Sequence, residues 1–297
     1  MDKFSEIIKH LPGKVRAGEL MSKYTSFKTG GPADIALFPS CEEDLRTSME
    51  LTEGMPRVIL GNCTNVLVGD GGIEGAVIFT GGIKGITSEG NVITSHCGNL
   101  LSETANFAAS LSLSGMEGLS GIPGSVGGGV YMNAGAYDYE IKDVVSLVRA
   151  MDENGTVTGF CAPLLDFGYR RSVFNENNMV ILSAEFTLKE GKEEEIRAEM
   201  RELNARRRDK QPLEYPSAGS TFKRPEGYYA GELIEKSGLK GFAIGGACVS
   251  EKHAGFVINK GGATSKDILD LIEHIRGEVS RKFSVSLQPE IKMIGRF

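Results

Sequence analysis

Residues 115–135 read GMEGLSGIPGSVGGGVYMNAG. Gly115, Gly118, Gly121, Gly124 and Gly127 fall at every third position, and Gly128, Gly129 and Gly135 follow. A run with so few side chains cannot pack an ordinary core, and each glycine costs conformational entropy on folding. The return is a backbone that comes close to a ligand and offers bare N–H groups to an anion. The segment is therefore expected to hold a phosphate-bearing cofactor.

Two earlier segments strengthen that expectation. GNCTN (61–65) lies between the short apolar runs Val58-Ile59-Leu60 and Val66-Leu67-Val68. Alone it reads as a strand-connecting turn. Paired with a second glycine-rich loop, it becomes one side of a clamp on a pyrophosphate. YTSFKTGGPAD (24–34) adds a third polar, glycine-containing stretch. YMNAGAY (131–137) fits either backbone packed on a flat ring or a tight helix-to-loop junction, and both readings stay open. The usual nucleotide fingerprints are absent: there is no G-x-G-x-x-G and no G-x-x-x-x-G-K-[ST]. A phosphate-binding fold of another type is needed.

Composition narrows the class. Apolar residues make up 40% of the 297 and charged residues 24%, as in a globular protein, while the 39 glycines are well above the usual share. A net charge of −6 argues against nucleic acid, whose binding depends on neutralising phosphates. Arg206-Arg207-Arg208 is a local exception, read as the dipole-favoured end of a helix or as an anion contact. The stretch MDKFSEIIKHL has no apolar signal core, and no run approaches a membrane span. Five scattered cysteines without a CxxC fit free thiols in a reducing cytoplasm, and the four histidines show no metal-ligand spacing. The expectation is a cytoplasmic protein without metal; its oligomeric state stays open, and a monomer is compatible with it.

The pattern along the chain predicts an α+β protein. Helices are expected over 42–53, 100–113, 192–210, 229–237 and 265–283. Strands are expected over 58–60, 66–68, 76–79, 91–94, 144–151, 156–161, 179–188, 247–250, 255–259 and 290–294. The densely charged 192–210 segment suits a helix bridging two domains. This divides the chain into 1–195 (two subdomains), a linking helix 196–211 and a domain 212–297, whose last strand is allowed to return to the first domain.

Three further positions are candidates for chemistry. Arg170 and Arg171 sit among aromatics in FGYRRSVF, where a guanidinium can stack and bind a carboxylate or simply make a surface ion pair. Ser220 lies in SAGSTFKRP, an ordinary turn serine or a functional one. Glu290 enters an apolar run in LQPEIKMIGRF, which demands either a partner, a function or an exposed edge.

Taken in order, GNCTNVLVGD, GLSGIPGSVGGGVYMNAGAY, YRRSVF, SAGSTFKRP and QPEIKMIG resemble the UDP-N-acetylenolpyruvoylglucosamine reductase (MurB) family of peptidoglycan-synthesis flavoenzymes. The resemblance runs from about Tyr24 to the C-terminus. It implies a two-part FAD-binding domain of the vanillyl-alcohol-oxidase type, a C-terminal α+β substrate domain, non-covalent FAD, and NADPH as co-substrate. It puts Asn62, Cys63, Thr64, Asn65, Gly121, Ile122, Pro123, Gly124, Ser125, Gly127 and Gly128 along the FAD pyrophosphate, and Asn133 and Ala134 near the flavin. No histidine occurs in these motifs, which fits a flavin without a covalent anchor. The short spacing from SAGSTFKRP to AGELIEKSGLKG resembles the second subtype, which lacks a loop carrying a substrate-clamping tyrosine. Lys223, Arg224, Lys252 and His253 are then the candidates for the UDP diphosphate.

The reaction implied is reduction of an enolpyruvyl ether to a lactyl ether, with hydride added to the methylene carbon. Arg170 would stabilise the charge spreading into the carboxylate. A protonated Glu290 would hydrogen-bond the same carboxylate, which requires its pKa to be raised by burial and by that anion. Ser220 would protonate the carbanion-like carbon. Arg171 is the competing assignment for the cation. Two other readings remain: a flavin oxidoreductase of the same fold with a different substrate, and a nucleotide-binding module without turnover.

Overall fold

The computed structural model describes residues 3–297; Met1 and Asp2, at the start of the stretch read for a secretory signal, lie outside the described residues. The chain forms two compact units. One comprises residues up to Ala17 with Ile35–Asn62 and Gly75–Arg206; the other comprises Gly18–Asp34, Cys63–Glu74 and Arg207–Phe297. This division differs from the expected blocks 1–195, 196–211 and 212–297. Two early stretches join the C-terminal part, and the physical reason lies in the second unit's hydrogen bonding, described below.

The first unit contains helices α1 (Lys3–His10), α2 (Glu42–Leu51), α3 (Leu101–Ser110) and α4 (Val126–Tyr131), and most of α5 (Glu193–Lys210). Its main sheet has five antiparallel strands in the order Val157–Cys161, Val145–Met151, Val180–Thr187, Val92–His96, Ile86–Glu89. Val180–Thr187 lies inside that order and is buried along most of its length. Leu101, Thr104, Ala105, Ala108 and Ala109 line the buried side of α3 at helical spacing. The alanines keep that side thin where it joins the core with Ile93, Val148, Leu182 and Phe186. Nearby, Arg57–Leu60 runs parallel to Ala76–Phe79.

Two expectations are corrected here. The helix predicted over 100–113 ends at Ser110; Ser112 takes a left-handed backbone (φ 59°), and Leu113–Ser114 pairs instead with Lys189–Glu190. The glycine-rich run is also part of a core. Met116, Leu119, Val126 and Val130 are buried in the first unit's cluster. Several of its glycines make room for protein rather than ligand. A Cβ on Gly118 would lie 2.5 Å from the Tyr139 ring, and one on Gly129 2.9 Å from Leu101.

The second unit is built around α7 (Ser265–Phe283), which follows α6 (Ala230–Lys236). Ile268, Leu271, Ile272, Ile275 and Val279 form the buried stripe of α7 in one cluster with Ala247, Val249 and Val257. The last three belong to an antiparallel sheet of Ala243–Ile244, Ala247–Val249 and Val257–Asn259. Thr264 caps α7 by accepting from Asp267 N–H, and Asp70 supplies a second cap, accepting from Ser265 and Lys266 N–H at 2.9 Å each. Val66–Val68 pairs in parallel with Lys292–Ile294, so the final strand lies beside an early one within this unit. Gly31 donates to the Gly69 carbonyl at 3.0 Å, and Gly69 to that of Ile294 at 2.9 Å. These bonds carry residues 18–34 and 63–74 into the second unit.

Glycine substitutions separate these constraints. Gly31→Ala places its Cβ 2.1 Å from the Asp70 carbonyl oxygen, whereas exposed Gly277 inside α7 has nothing within 4 Å. Thermal unfolding should show Gly31→Ala destabilised by about 1–3 kcal/mol and Gly277→Ala stabilised by about 0.5–1 kcal/mol. An unchanged midpoint for Gly31→Ala would contradict the close approach.

Candidate functional site

In the first unit the loops around Gly61 and Gly124 meet. A Cβ on Gly61 would lie 2.2 Å from Ser125 Oγ, so no larger residue fits without displacing that hydroxyl. Asn62 Nδ2 donates to the Pro123 carbonyl at 2.6 Å and ties the two loops together. Ser125 is the N-cap of α4, its Oγ accepting from Gly128 N–H at 3.4 Å. The peptide N–H groups of Asn62, Gly124 and Ser125 meet no acceptor among the described residues. The polar side chains thus build the loops, and backbone donors are left for an anion.

Asn133 follows the same rule. It is fully buried, in a left-handed backbone (φ 43°) just after α4. Its Nδ2 donates to the Gly168 carbonyl at 3.0 Å and to Glu140 at 3.3 Å, and its Oδ1 accepts from Lys142 N–H at 3.0 Å. That amide is spent on holding three segments, so any approach of 131–137 to a cofactor falls to its backbone. Gly135 begins a short strand, Gly135–Ala136, paired with Tyr139–Glu140. Ala134 precedes it and is half-buried.

Arg170 and Arg171 separate clearly. Arg170 is half-buried, with φ 56°, an uncommon conformation for a side chain of this size. Its guanidinium reaches the carbonyls of Asn133 (3.5 Å) and Gly135 (3.3 Å) and lies 4.9 Å from the Tyr169 ring centre. Arg171 points to ion pairs with Asp166 and Glu176, all three exposed. The fixed cation beside the glycine loop is Arg170.

In the second unit Ser220 and Glu290 sit on adjoining backbone. Glu290 N–H donates to the Thr221 carbonyl at 2.9 Å, and Lys223 N–H to that of Gln288 at 2.9 Å. Thr221 is fully buried and is anchored twice more: its N–H donates to the Gly255 carbonyl at 2.8 Å, and its Oγ1 accepts from Val257 N–H at 2.9 Å. Ser220 itself is exposed and Glu290 half-buried. Asn65, expected on the pyrophosphate, points its amide elsewhere, with Nδ2 donating to the Glu290 carbonyl at 3.3 Å. Cys63 is buried with φ 51°, and burial pushes its thiol up to about 12, so it is a neutral thiol whose backbone carbonyl accepts from Ser26 N–H at 3.2 Å.

The cationic candidates for a diphosphate divide. Lys252 Nζ donates to the Arg208 carbonyl at 2.6 Å, the end of α5, which is a helix-capping role. Burial lowers the pKa of His253, and its Nδ1 accepts from Gly255 N–H at 3.1 Å. Both favour the neutral ring, so His253 brings no charge. Arg224 is exposed and stacks 4.1 Å from the Tyr229 ring centre, while Lys223 is half-buried next to it. Gly121, Ile122 and Pro123 lie on the loop between Leu119 and α4, and Gly127 and Gly128 within α4.

Sequence reasoning missed how α5 serves the glycine run. Tyr139 OH donates to Glu199 at 2.6 Å, Asn204 Nδ2 to Ser120 Oγ at 3.1 Å, and Arg206 lies 5.1 Å from the Tyr137 ring centre. Glu199, buried Leu203 and Arg206 share one side of a helix, a signal hidden beneath its dense charge. Glu117 was missed too: it is buried inside the run, accepting from Gly115 N–H at 2.8 Å. Among the described residues no cluster of histidine, cysteine, aspartate and glutamate could hold a metal ion.

Residues 33–160 match the FAD binding domain family, and residues 211–294 match the C-terminal domain of UDP-N-acetylenolpyruvoylglucosamine reductase. The chain is 49% identical to the UDP-N-acetylenolpyruvoylglucosamine reductase of Caldanaerobacter subterraneus over 99% of its own length and 98% of that protein's. It is 49% identical to the one from Clostridium perfringens, over 93% and 91%. The crystal structure of the Thermus caldophilus enzyme superposes with a TM-score of 0.83 at 34% identity, covering 95% of this chain and 99% of that one. A glucose dehydrogenase, Phl p 4.0202, superposes with a TM-score of 0.52 at 13% identity, over 64% of this chain and 44% of that one; the likeness is one of fold, of the vanillyl-alcohol-oxidase type.

The contact between Gly61 and Ser125 is open to a double-mutant cycle. Ser125→Ala should cost about 1 kcal/mol by loss of the helix cap. Gly61→Ala should cost about 1–3 kcal/mol in the presence of Ser125, but little more in the Ser125→Ala background, where the nearest remaining atom is at 3.4 Å. Additive costs in denaturant unfolding would show that the two loops do not touch.

Proposed function

Because the chain belongs to the UDP-N-acetylenolpyruvoylglucosamine reductase family, we propose that it reduces UDP-N-acetylenolpyruvoylglucosamine to UDP-N-acetylmuramate for peptidoglycan synthesis, with non-covalent FAD and NADPH. The observation that carries this reading is the bond from Glu290 N–H to the Thr221 carbonyl. It brings the backbone of Ser220 and that of Glu290, far apart in the chain, onto neighbouring stretches.

The FAD binding domain family covers residues 33–160, and the site fits an anionic dinucleotide. Open N–H groups on Asn62, Gly124 and Ser125 suit a pyrophosphate, and Gly61 leaves no side chain in the way. FAD held there would supply hydride transfer from NADPH to the enolpyruvyl methylene carbon.

The protein's own part is electrostatic and proton-carrying. Arg170 keeps a permanent delocalised charge, and two backbone carbonyls hold it in place, so it stabilises the substrate carboxylate most strongly as negative charge builds up. Glu290, protonated while that carboxylate is near, donates a hydrogen bond to it. Ser220 gives its hydroxyl proton to the carbanion-like carbon; a weak acid suffices because the acceptor is a strong base. Lys223 and Arg224 are the proposed contacts to the UDP diphosphate; Lys252 is engaged with the Arg208 carbonyl and His253 with the Gly255 N–H. Five free cysteines, and no helix among the described residues long and apolar enough to cross a membrane, support a cytoplasmic enzyme.

Purified protein should carry a visible flavin spectrum that bleaches with NADPH and returns on adding the enolpyruvyl sugar nucleotide. Return with oxygen alone, and no response to the sugar nucleotide, would favour an oxidoreductase of another substrate class. Ser220→Ala should slow reoxidation by that substrate about 10²–10⁴-fold in stopped-flow experiments, with reduction by NADPH far less affected. Equal slowing of both half-reactions would remove the proton-donor role.

A further inference from the structure

The peptide of Glu290 is held on both sides. Its N–H donates to Thr221 and its carbonyl accepts from Asn65 Nδ2. Asn65 acts a second time on the same segment, because its own carbonyl accepts from Lys292 N–H at 3.0 Å. The parallel pairing then continues from Val66 opposite Lys292 through Val68 opposite Ile294. Asn65 therefore grips the chain immediately before the ladder begins, on either side of Ile291, which is buried. A planar amide one methylene from its backbone has the reach and the donor for this; aspartate keeps the shape but loses the donor.

We infer that Asn65 is a positioning residue for Glu290, fixing the direction of its carboxyl through the Glu290 carbonyl, rather than a side-chain ligand of the pyrophosphate. The inference rests on the reading of Glu290 as the carboxyl that meets the substrate. The Thr64 N–H of the same loop meets no acceptor among the described residues, so the loop can serve a cofactor with other atoms. A carboxyl displaced by an ångström loses much of its effect on a transition state, while the reduction of the flavin, which does not use it, is spared.

The test compares Asn65→Asp with Glu290→Gln and the double variant, each loaded with FAD. FAD stoichiometry is read from the visible spectrum, and the two half-reactions from stopped flow. Asn65→Asp should slow oxidation by the enolpyruvyl substrate about 10–100-fold and reduction by NADPH much less, and the double variant should be no slower than Glu290→Gln. Hydrogen exchange in the FAD-free protein should quicken at the amides of Glu290 and Lys292. Loss of FAD with normal half-reactions in the loaded fraction would overturn the inference, as would multiplicative slowing in the double variant. A Glu290→Gln protein that reoxidises normally would overturn the reading of Glu290 and, with it, the role of Asn65. Should Asn65→Asp not fold, Asn65→Ala measured on its FAD-loaded fraction decides by the same outcomes.

Discussion

The parallel pairing of Val66–Val68 with Lys292–Ile294 is the constraint on which the second unit depends. It brings an early segment of the chain to a late one, and Asp70, just beyond, closes the N-terminus of α7. With those contacts made, Gly31, Gly69 and Gly72 have no space for side chains, which accounts for glycines that no ligand needs. The same pairing carries Asn65 to the Glu290 carbonyl and leaves the Glu290 N–H to Thr221. One ladder of backbone bonds thus sets both the unit's core and the placement of its carboxyl.

A division of labour runs through the candidate site. The polar side chains that look like ligands in the sequence are committed to protein: Asn62 to Pro123, Ser125 to the cap of α4, Asn133 to three segments, Asn65 to Glu290. The physical logic is preorganisation. Loops poor in side chains are entropically expensive to order, and internal amide bonds fix them before any ligand arrives. What these loops leave open is then fixed backbone, which cannot swing away as a side chain can. Arg170 follows the same plan, its charge held by carbonyls that do not neutralise it.

Much of this was legible in the sequence. Helices 42–51, 193–210 and 265–283 were readable because their apolar or charged periodicity runs over several turns. Ordered motifs singled out Arg170, Ser220 and Glu290, whose roles are proposals. The end of α3 was not, because Leu111 and Leu113 continue its apolar pattern while Ser112 reverses the backbone. The grouping of residues 18–34 and 63–74 with the C-terminal part was hidden as well, since pairing across such a separation leaves no local mark. Nor could composition reveal that His253 is neutral or that Lys252 caps a helix: charge is written in the sequence, but the partner that absorbs it is not.

The late strand has a consequence for biosynthesis. Glu290 lies 225 residues beyond Asn65, and the partner of Val66–Val68 emerges from the ribosome correspondingly late, roughly 10–45 s at ~5–20 residues per second. Throughout that interval an apolar edge of the nascent polypeptide stands unpaired, exposed to association with its neighbours on a polysome. The second unit therefore cannot close its own core until nearly the whole chain has been made, however stable the finished enzyme becomes.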